Sequence, residues 1–382
     1  MATPQAIITG NRDERRTLIV VFLRGGADGL SLVAPIEDDH YYRARPRIAI
    51  KKADAVPLDD RFGLHPNMRP LEAAWREGDL AIVHACGIEE IADGTRSHFE
   101  AQDSMEHGGV AAGGWLGRFL RTRPAPISGA LACVAVGKSL PECLLGAPSV
   151  TVMTSLNDFA LGGESGTLRN QLERLYAMET GQLGAAARDT FDAIRRIDAM
   201  RSEKYMPGNS ATYANDEFST GLMQLAQLIK GDMGLEAASI DLDGWDSHFT
   251  QETLVNPLST RLAAGLSAFR QDLGERMKTV SIVVMTEFGR TVQENSAFGT
   301  DHGRGGTMWV LGGGVQGGRI HGDWRGLGQL EARGVSTSYE DLPVLNNYRN
   351  VLAPVLLRHG GHTADFEKVF PNFSLAPLPL YA

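Results

Sequence analysis

The strongest constraint on this chain is a series of short, unbroken apolar runs, rich in β-branched residues and closed by Gly, Asp or Pro. They are "TLIVVFL" (17–23), "LAIVHAC" (80–86), "LACVAV" (131–136), "SVTVM" (149–153), "AASIDL" (237–242), "VSIVVMT" (280–286) and "TMWVLGG" (307–313). A strand with one wet face alternates apolar and polar residues, whereas these runs do not. They predict strands covered on both sides, as in a mostly parallel sheet packed between helices. Helical patterns lie between them: "MRPLEAAWREG", "SHFEAQDSMEHG" and "LSTRLAAGLSAFRQDLGERM", with "YEDLPVLNNYRNVLAPVLLRHGG" as a terminal helix carrying Pro354. The expected architecture is an α/β fold with a mostly parallel central sheet flanked by helices. One domain is expected to span 1–382. Within it, 155–235 reads as a mostly helical insertion, and "KYMPGNSATYAND" as a loop.

Composition narrows the classes of function. Hydrophobic residues are 43% and charged residues 22%, and the apolar runs stop well short of the roughly 18 residues a membrane span needs, so a globular chain without membrane insertion is expected. The net charge of −9 comes without any basic stripe, which excludes nucleic acid as an expected partner. Cys86, Cys133 and Cys143 lack metal-ligand spacing and read as buried free thiols, with Cys133 and Cys143 the pair able to join in an oxidising compartment. Arg15-Arg16 ahead of "TLIVVFL" imitates an export signal. The apolar stretch is too short for one and runs into "RGGADG", so it is read as a strand. The expected location is cytoplasmic for the sequence as it stands, and periplasmic if an export leader preceded it.

Four polar clusters follow these runs. In "RGGADGL", Gly25 and Gly26 permit a sharp turn that presents Asp28 at the end of a strand, as a ligand or as a local cap. In "TRSHFEAQD", Ser97 and Glu100 have capping-box spacing, so Ser97 opens a helix. Backbone amides and the helix dipole favour an anion there, which also suits a nucleophile, with Arg96 and His98 beside it to hold anionic oxygens or to pack. "DLDGWDSHFTQ" places Asp246 and His248 two residues apart, able to turn toward one cation. In "TEFGRTVQENSAFGTDHGRGG", Glu287 ends a strand and Asp301 and His302 return after a loop. So many carboxylates repel one another unless cations neutralise them; Arg290, Arg304 or a metal would serve.

The strings "FLRGGADGLSLVAP", "GLHPNM", "TRSHFEAQDSMEHG", "GWDSHFTQ", "TEFGRTVQENSAFGTDHGRGG" and "LGGGVQGGRIHGDWRGL" resemble, in this order, the bacterial family catalogued as domain of unknown function 1501. That family is similar at a distance to the alkaline phosphatase and sulfatase superfamily. The resemblance implies an alkaline-phosphatase-like fold and hydrolysis of phosphate or sulfate esters. It implies Ser97 as nucleophile, with Thr95 the less favoured choice, and Asp28, Asp246, His248, Glu287, Asp301 and His302 as metal ligands. Phe288 departs from the pattern, standing where a second ligand is expected.

The resulting expectation is a metal-dependent hydrolase of small anionic esters. One or two divalent ions are expected, zinc favoured over manganese, magnesium or calcium, with Arg96 and Arg290 stabilising the transferred group. The alternative is a non-catalytic binding or assembly protein that keeps the fold and one structural metal. Trp75, Trp115 and Trp309 are assigned to the core or an interface and His65 to a structural role, "LGGGVQGG" reads as strand-end turns, and His321 and Asp323 stand as outer neighbours of the site. Oligomeric state is left open.

Overall fold

The structure is a computed structural model that describes residues 15–88, 96–109, 111–123, 129–158, 166–201, 204–328 and 341–382. Twelve strands occur among them. In chain order they are β1 (Thr17–Arg24), β2 (Val33–Ala34), β3 (Val56–Pro57), β4 (Gly63–Leu64), β5 (Leu80–Gly87) and β6 (Cys133–Val136), then β7 (Thr151–Met153), β8 (Ala237–Asp243), β9 (Val280–Met285), β10 (Gly306–Gly312), β11 (Arg319–His321) and β12 (Asn346–Asn347). Each of the seven apolar runs forms one strand of the large sheet. Its order is β11-β5-β10-β9-β1-β8-β6-β7, with β12 also on β5, while β2, β4 and β3 make a small antiparallel sheet.

Within the large sheet only β10 runs against its neighbours, pairing antiparallel with both β9 and β5. The other pairings, including β1 with β8 and with β9, are parallel. Burial explains the unbroken apolar runs. Successive side chains of a strand point to opposite faces. Accordingly Ile19, Val21 and Leu23 enter one apolar cluster, and Leu18, Val20 and Phe22 enter another. Strand β9 divides likewise, Ile282 and Val284 to one side and Val283 and Met285 to the other.

The helix Glu252–Leu273 covers the first face together with Glu217–Lys230. It begins earlier than its sequence pattern suggested and contains Pro257. Pro257 is its sixth residue, past the first turn, so it removes one intrahelical hydrogen bond, and the helix continues through it. The other face is covered by Trp115–Thr122 and by Tyr348–Arg358, the latter with Pro354 inside it. The stretch read as mostly helical contains Gly166–Ala177, Gln182–Arg201 and Glu217–Lys230. On the last turn of helix Glu252–Leu273, buried Asp272 accepts hydrogen bonds from the hydroxyls of Tyr205 (2.6 Å) and Tyr213 (2.9 Å), the Gly208 amide (2.6 Å) and Lys230 (2.7 Å), pinning the predicted loop.

The bland assignments have physical counterparts. Trp75, Trp115 and Trp309 are buried, and the three cysteines are free and buried. His65 Nδ1 accepts the Asn67 amide at 3.2 Å, and burial lowers the pKa of His65 to about 4. His321 is tied to the Gln316 carbonyl (2.7 Å), and the Asp323 amide to Asn346 (2.9 Å), both beside the sheet's outer strand β11 rather than at the carboxylate cluster. No helix among the described residues is long and apolar enough to cross a membrane.

Candidate metal centre

The parallel strands β1, β8, β9 and β5 all end at one edge of the sheet, and β10 begins there. The segments that leave or enter this edge therefore meet, although they lie far apart in sequence. The Thr286–Gly305 loop turns back on itself, with Gly289 N to Arg304 O, Gly303 N to Gly289 O and Thr291 N to Asp301 O each 2.9 Å. Glycine is needed for this close approach, because a Cβ on Gly289 would lie 1.9 Å from the Gly305 carbonyl oxygen. This fold-back returns Asp301 and His302 to the edge that Glu287 has just left.

Asp246 stands at the centre. Its Oδ1 lies 3.1 Å from His248 Nε2, 3.3 Å from His302 Nε2 and 3.5 Å from His98 Nε2. The Nε2 atoms of His248 and His302 are 2.9 Å apart. His98, Asp246 and His302 each offer a ligand atom within 4.8 Å of the others, a spacing that suits a shared metal ion. In a regular tetrahedral zinc site with bonds of about 2.0–2.1 Å, ligand atoms lie about 3.4 Å apart, close to the distances here.

The outer ring nitrogens are also occupied. His98 Nδ1 donates to Glu287 (2.8 Å), His248 Nδ1 to Asp301 (2.9 Å) and His302 Nδ1 to the Arg96 carbonyl (2.5 Å). These partners are acceptors without hydrogens, so each Nδ1 carries a proton and each Nε2 presents a lone pair inward unless its ring takes a second proton. Carboxylates and carbonyls placed behind histidines in this way orient metal ligands and raise their basicity.

Glu287 is fully engaged in that task. Its Oε1 accepts the Gly25 amide (2.8 Å), His98 (2.8 Å) and Gln102 (2.9 Å), and its Oε2 accepts Thr286 (3.0 Å). Burial opposes its ionisation, but the His98 and Gln102 bonds outweigh that and lower its pKa. For Asp246 burial also works upward, and the hydrogen bond and charge of Arg290 prevail, holding it at about 2. Arg290 is buried, with donors directed to the carbonyls of Gly26 (2.7 Å), Thr300 (3.1 Å), Gly25 (2.5 Å) and Trp245 (3.3 Å) and to Asp246 (2.7 Å). Arg290 therefore positions Asp246 instead of reaching out to a substrate. Arg96 bonds to the His302 carbonyl and to Asp341.

At Asp28 and Ser97 the local geometry differs from the sequence expectation. Asp28 is held away from the histidines as the cap of a short helix. It receives Arg45 at 2.5 and 3.0 Å, Ser31 at 2.6 Å, Gln251 at 2.7 Å and the Leu30 amide at 3.3 Å, which leaves no lone pair for an ion. Ser97 is the N-cap residue of helix His98–His107, as expected, but its side-chain hydroxyl makes no capping hydrogen bond. Thr95 lies outside the described residues. Phe288 is buried, with its ring centroid 4.9 Å from those of both His98 and His302, an apolar wall where a second ligand was expected.

The residue not chosen as a ligand from sequence was His98. Its signal was its place on the first turn of a helix entering the carboxyl edge, one position after the favoured hydroxyl.

Fold and site together define an α/β protein with a mixed, mostly parallel sheet and a histidine-rich group at the carboxyl edge. The chain belongs to the family described as protein of unknown function (DUF1501), which matches residues 15–344. No curated protein matches it. Among solved structures, the alkaline phosphatase from the Antarctic bacterium TAB5 is similar at 9% identity and a TM-score of 0.28, over 79% of this chain and 93% of that one. That likeness is too loose to transfer any residue's role.

Proposed function

We propose that this protein is a metal-dependent hydrolase of phosphate or sulfate esters working with one divalent ion, zinc by preference. The observation that carries the reading is the convergence of three imidazole Nε2 atoms on the Asp246 carboxylate, each ring braced from behind through Nδ1. Lone pairs and a carboxylate crowded together repel one another, and a divalent cation among them removes that cost. His98, Asp246 and His302 would hold the ion, with His248 beside them. When bound it would supply positive charge to polarise an ester oxygen or lower the pKa of a hydroxyl.

The chain's own groups take the other roles. Ser97 lies between two residues of the site, Arg96 and His98; its hydroxyl would attack phosphorus or sulfur as the bond to the ester's alcohol breaks, the alcohol leaving with the proton, and water would then release the anion and restore the serine. The amides that open helix His98–His107 offer partial positive charge to the oxygens of the transferred group. Phe288 excludes water beneath the rings. Solvent access supports catalysis over a closed structural centre, since the Asp246 side chain is 48% exposed.

Phe288 also favours a second reading, a binding or assembly protein with one retained ion, because it removes a ligand position. Turnover of aryl phosphate and aryl sulfate esters separates the two. The Ser97→Ala variant is expected to lose turnover while keeping its metal. Retained turnover in that variant would displace Ser97 from the role.

A further inference from the structure

A groove of about 1200 Å³ lies beside the metal centre on the same edge of the sheet. The helix His98–His107 forms the wall between them. His98 faces the centre and Phe99, Asp103 and Glu106 line the groove, while Gln102 touches both, donating to Glu287 (2.9 Å) on one side and lining the groove beside Arg24 on the other. The carboxyl ends of β6 and β8 form its base, and the start of helix Glu217–Lys230 forms its far side.

The lining is strongly one-signed. Eight carboxylates line the groove against two cations, Arg24 and Lys138. Arg24 is consumed locally, bound to Glu106 at 2.7 Å and Asp241 at 2.9 Å. His107 lies 3.3 Å from Asp103 and 3.2 Å from Glu142, and exposed Glu217 and Asp243 also stand around the cavity. A free anionic ester would be repelled along this approach, so the field selects a ligand that is positive away from its reacting group.

Size and surface chemistry narrow the ligand further. The cavity exceeds the roughly 300–1,000 Å³ of ordinary small-molecule sites. Phe99 projects into it 86% exposed, with exposed Leu140 also in the lining. An aromatic face among carboxylates suits guanidinium groups, which stack on the ring and pair with the acids.

We propose that this groove docks an extended arginine-rich peptide segment, and that the ester cleaved next door is carried on such a basic chain. The second clause rests on the hydrolase reading above, and the first stands on the groove alone. The anionic ester would sit at the histidine group while the cationic flank occupies the groove, so one ligand satisfies both fields.

Fluorescence anisotropy with a labelled eight-residue arginine peptide and the full chain tests this. Saturable binding that weakens with added salt is expected, together with no binding of a glutamate peptide of the same length. The combined variant Asp103→Asn, Glu217→Gln, Asp243→Asn should weaken binding about tenfold or more, and Lys138→Glu should tighten it. His302→Ala should lose metal and still bind the peptide, which keeps failure of the catalytic reading distinct from failure of the docking. Equal binding by wild type and the combined variant, no binding at all, or displacement by spermine as readily as by unlabelled peptide would overturn the proposal.

Discussion

Asp28 and Asp246 follow neighbouring parallel strands of one sheet and reach its carboxyl edge in opposite electrostatic settings. Asp28 is buried against Arg45, whose guanidinium bonds to both carboxylate oxygens and is itself fully buried. Ser31 and Gln251 complete the pairing, and the carboxylate has no access to water or to an ion. Asp246 is half exposed and has one permanent cation, Arg290, with three imidazoles around it. A guanidinium built into the chain makes a fixed, closed pair, whereas imidazoles leave lone pairs for a cation that exchanges with solvent. The first carboxylate is closed off by its own chain, and the second stands open to solvent, where the proposed ion would sit.

The largest expected effect comes from breaking the closed pair. Asp28→Asn leaves Arg45 charged and buried without its counter-ion, and should destabilise the fold by about 3–5 kcal/mol, read from urea unfolding. The pH dependence of the wild type follows from the same pair. Burial raises the Asp28 pKa, and the charge and hydrogen bonds of Arg45 more than offset it, so the folded value lies below the ordinary one. That contribution is present above the unfolded value of about 3.9 and lost as pH falls through the folded one. Asp28→Asn should flatten this acid limb, and an unchanged limb would assign it to other carboxylates.

A smaller effect is expected on the open side. Glu287→Gln keeps the shape but weakens the bracing of His98, and should lower metal affinity about 10–100-fold with less loss of stability than Asp28→Asn. Competition with a chromogenic chelator measures it. Unaltered affinity would remove Glu287 from the support of the site.

The sheet was legible because strands covered on both faces must be apolar throughout, and each run from "TLIVVFL" to "TMWVLGG" became one of its strands. The reversed direction of β10 was not, since apolar periodicity has no polarity along the chain. That reversal is what brings His302 back to the site. The meeting of Asp246, His248 and His302 could be anticipated from strand-end positions. The fate of Asp28 could not, because Arg45 comes from a different helix and nothing local shows which way either side chain turns. Glu287 and Asp301 read as ligands because a carboxylate that braces a histidine has the same composition as one that binds an ion. Only the bonds to His98 Nδ1 and His248 Nδ1 separate the two roles.

The most direct test is metal content by elemental mass spectrometry, on protein purified without chelator and resupplied with zinc, comparing wild type, Asp28→Asn and His98→Gln. The account predicts near one ion per chain in wild type and in folded Asp28→Asn, and loss in His98→Gln. Metal retained by His98→Gln, or no ion bound by wild type even with zinc supplied, would contradict it.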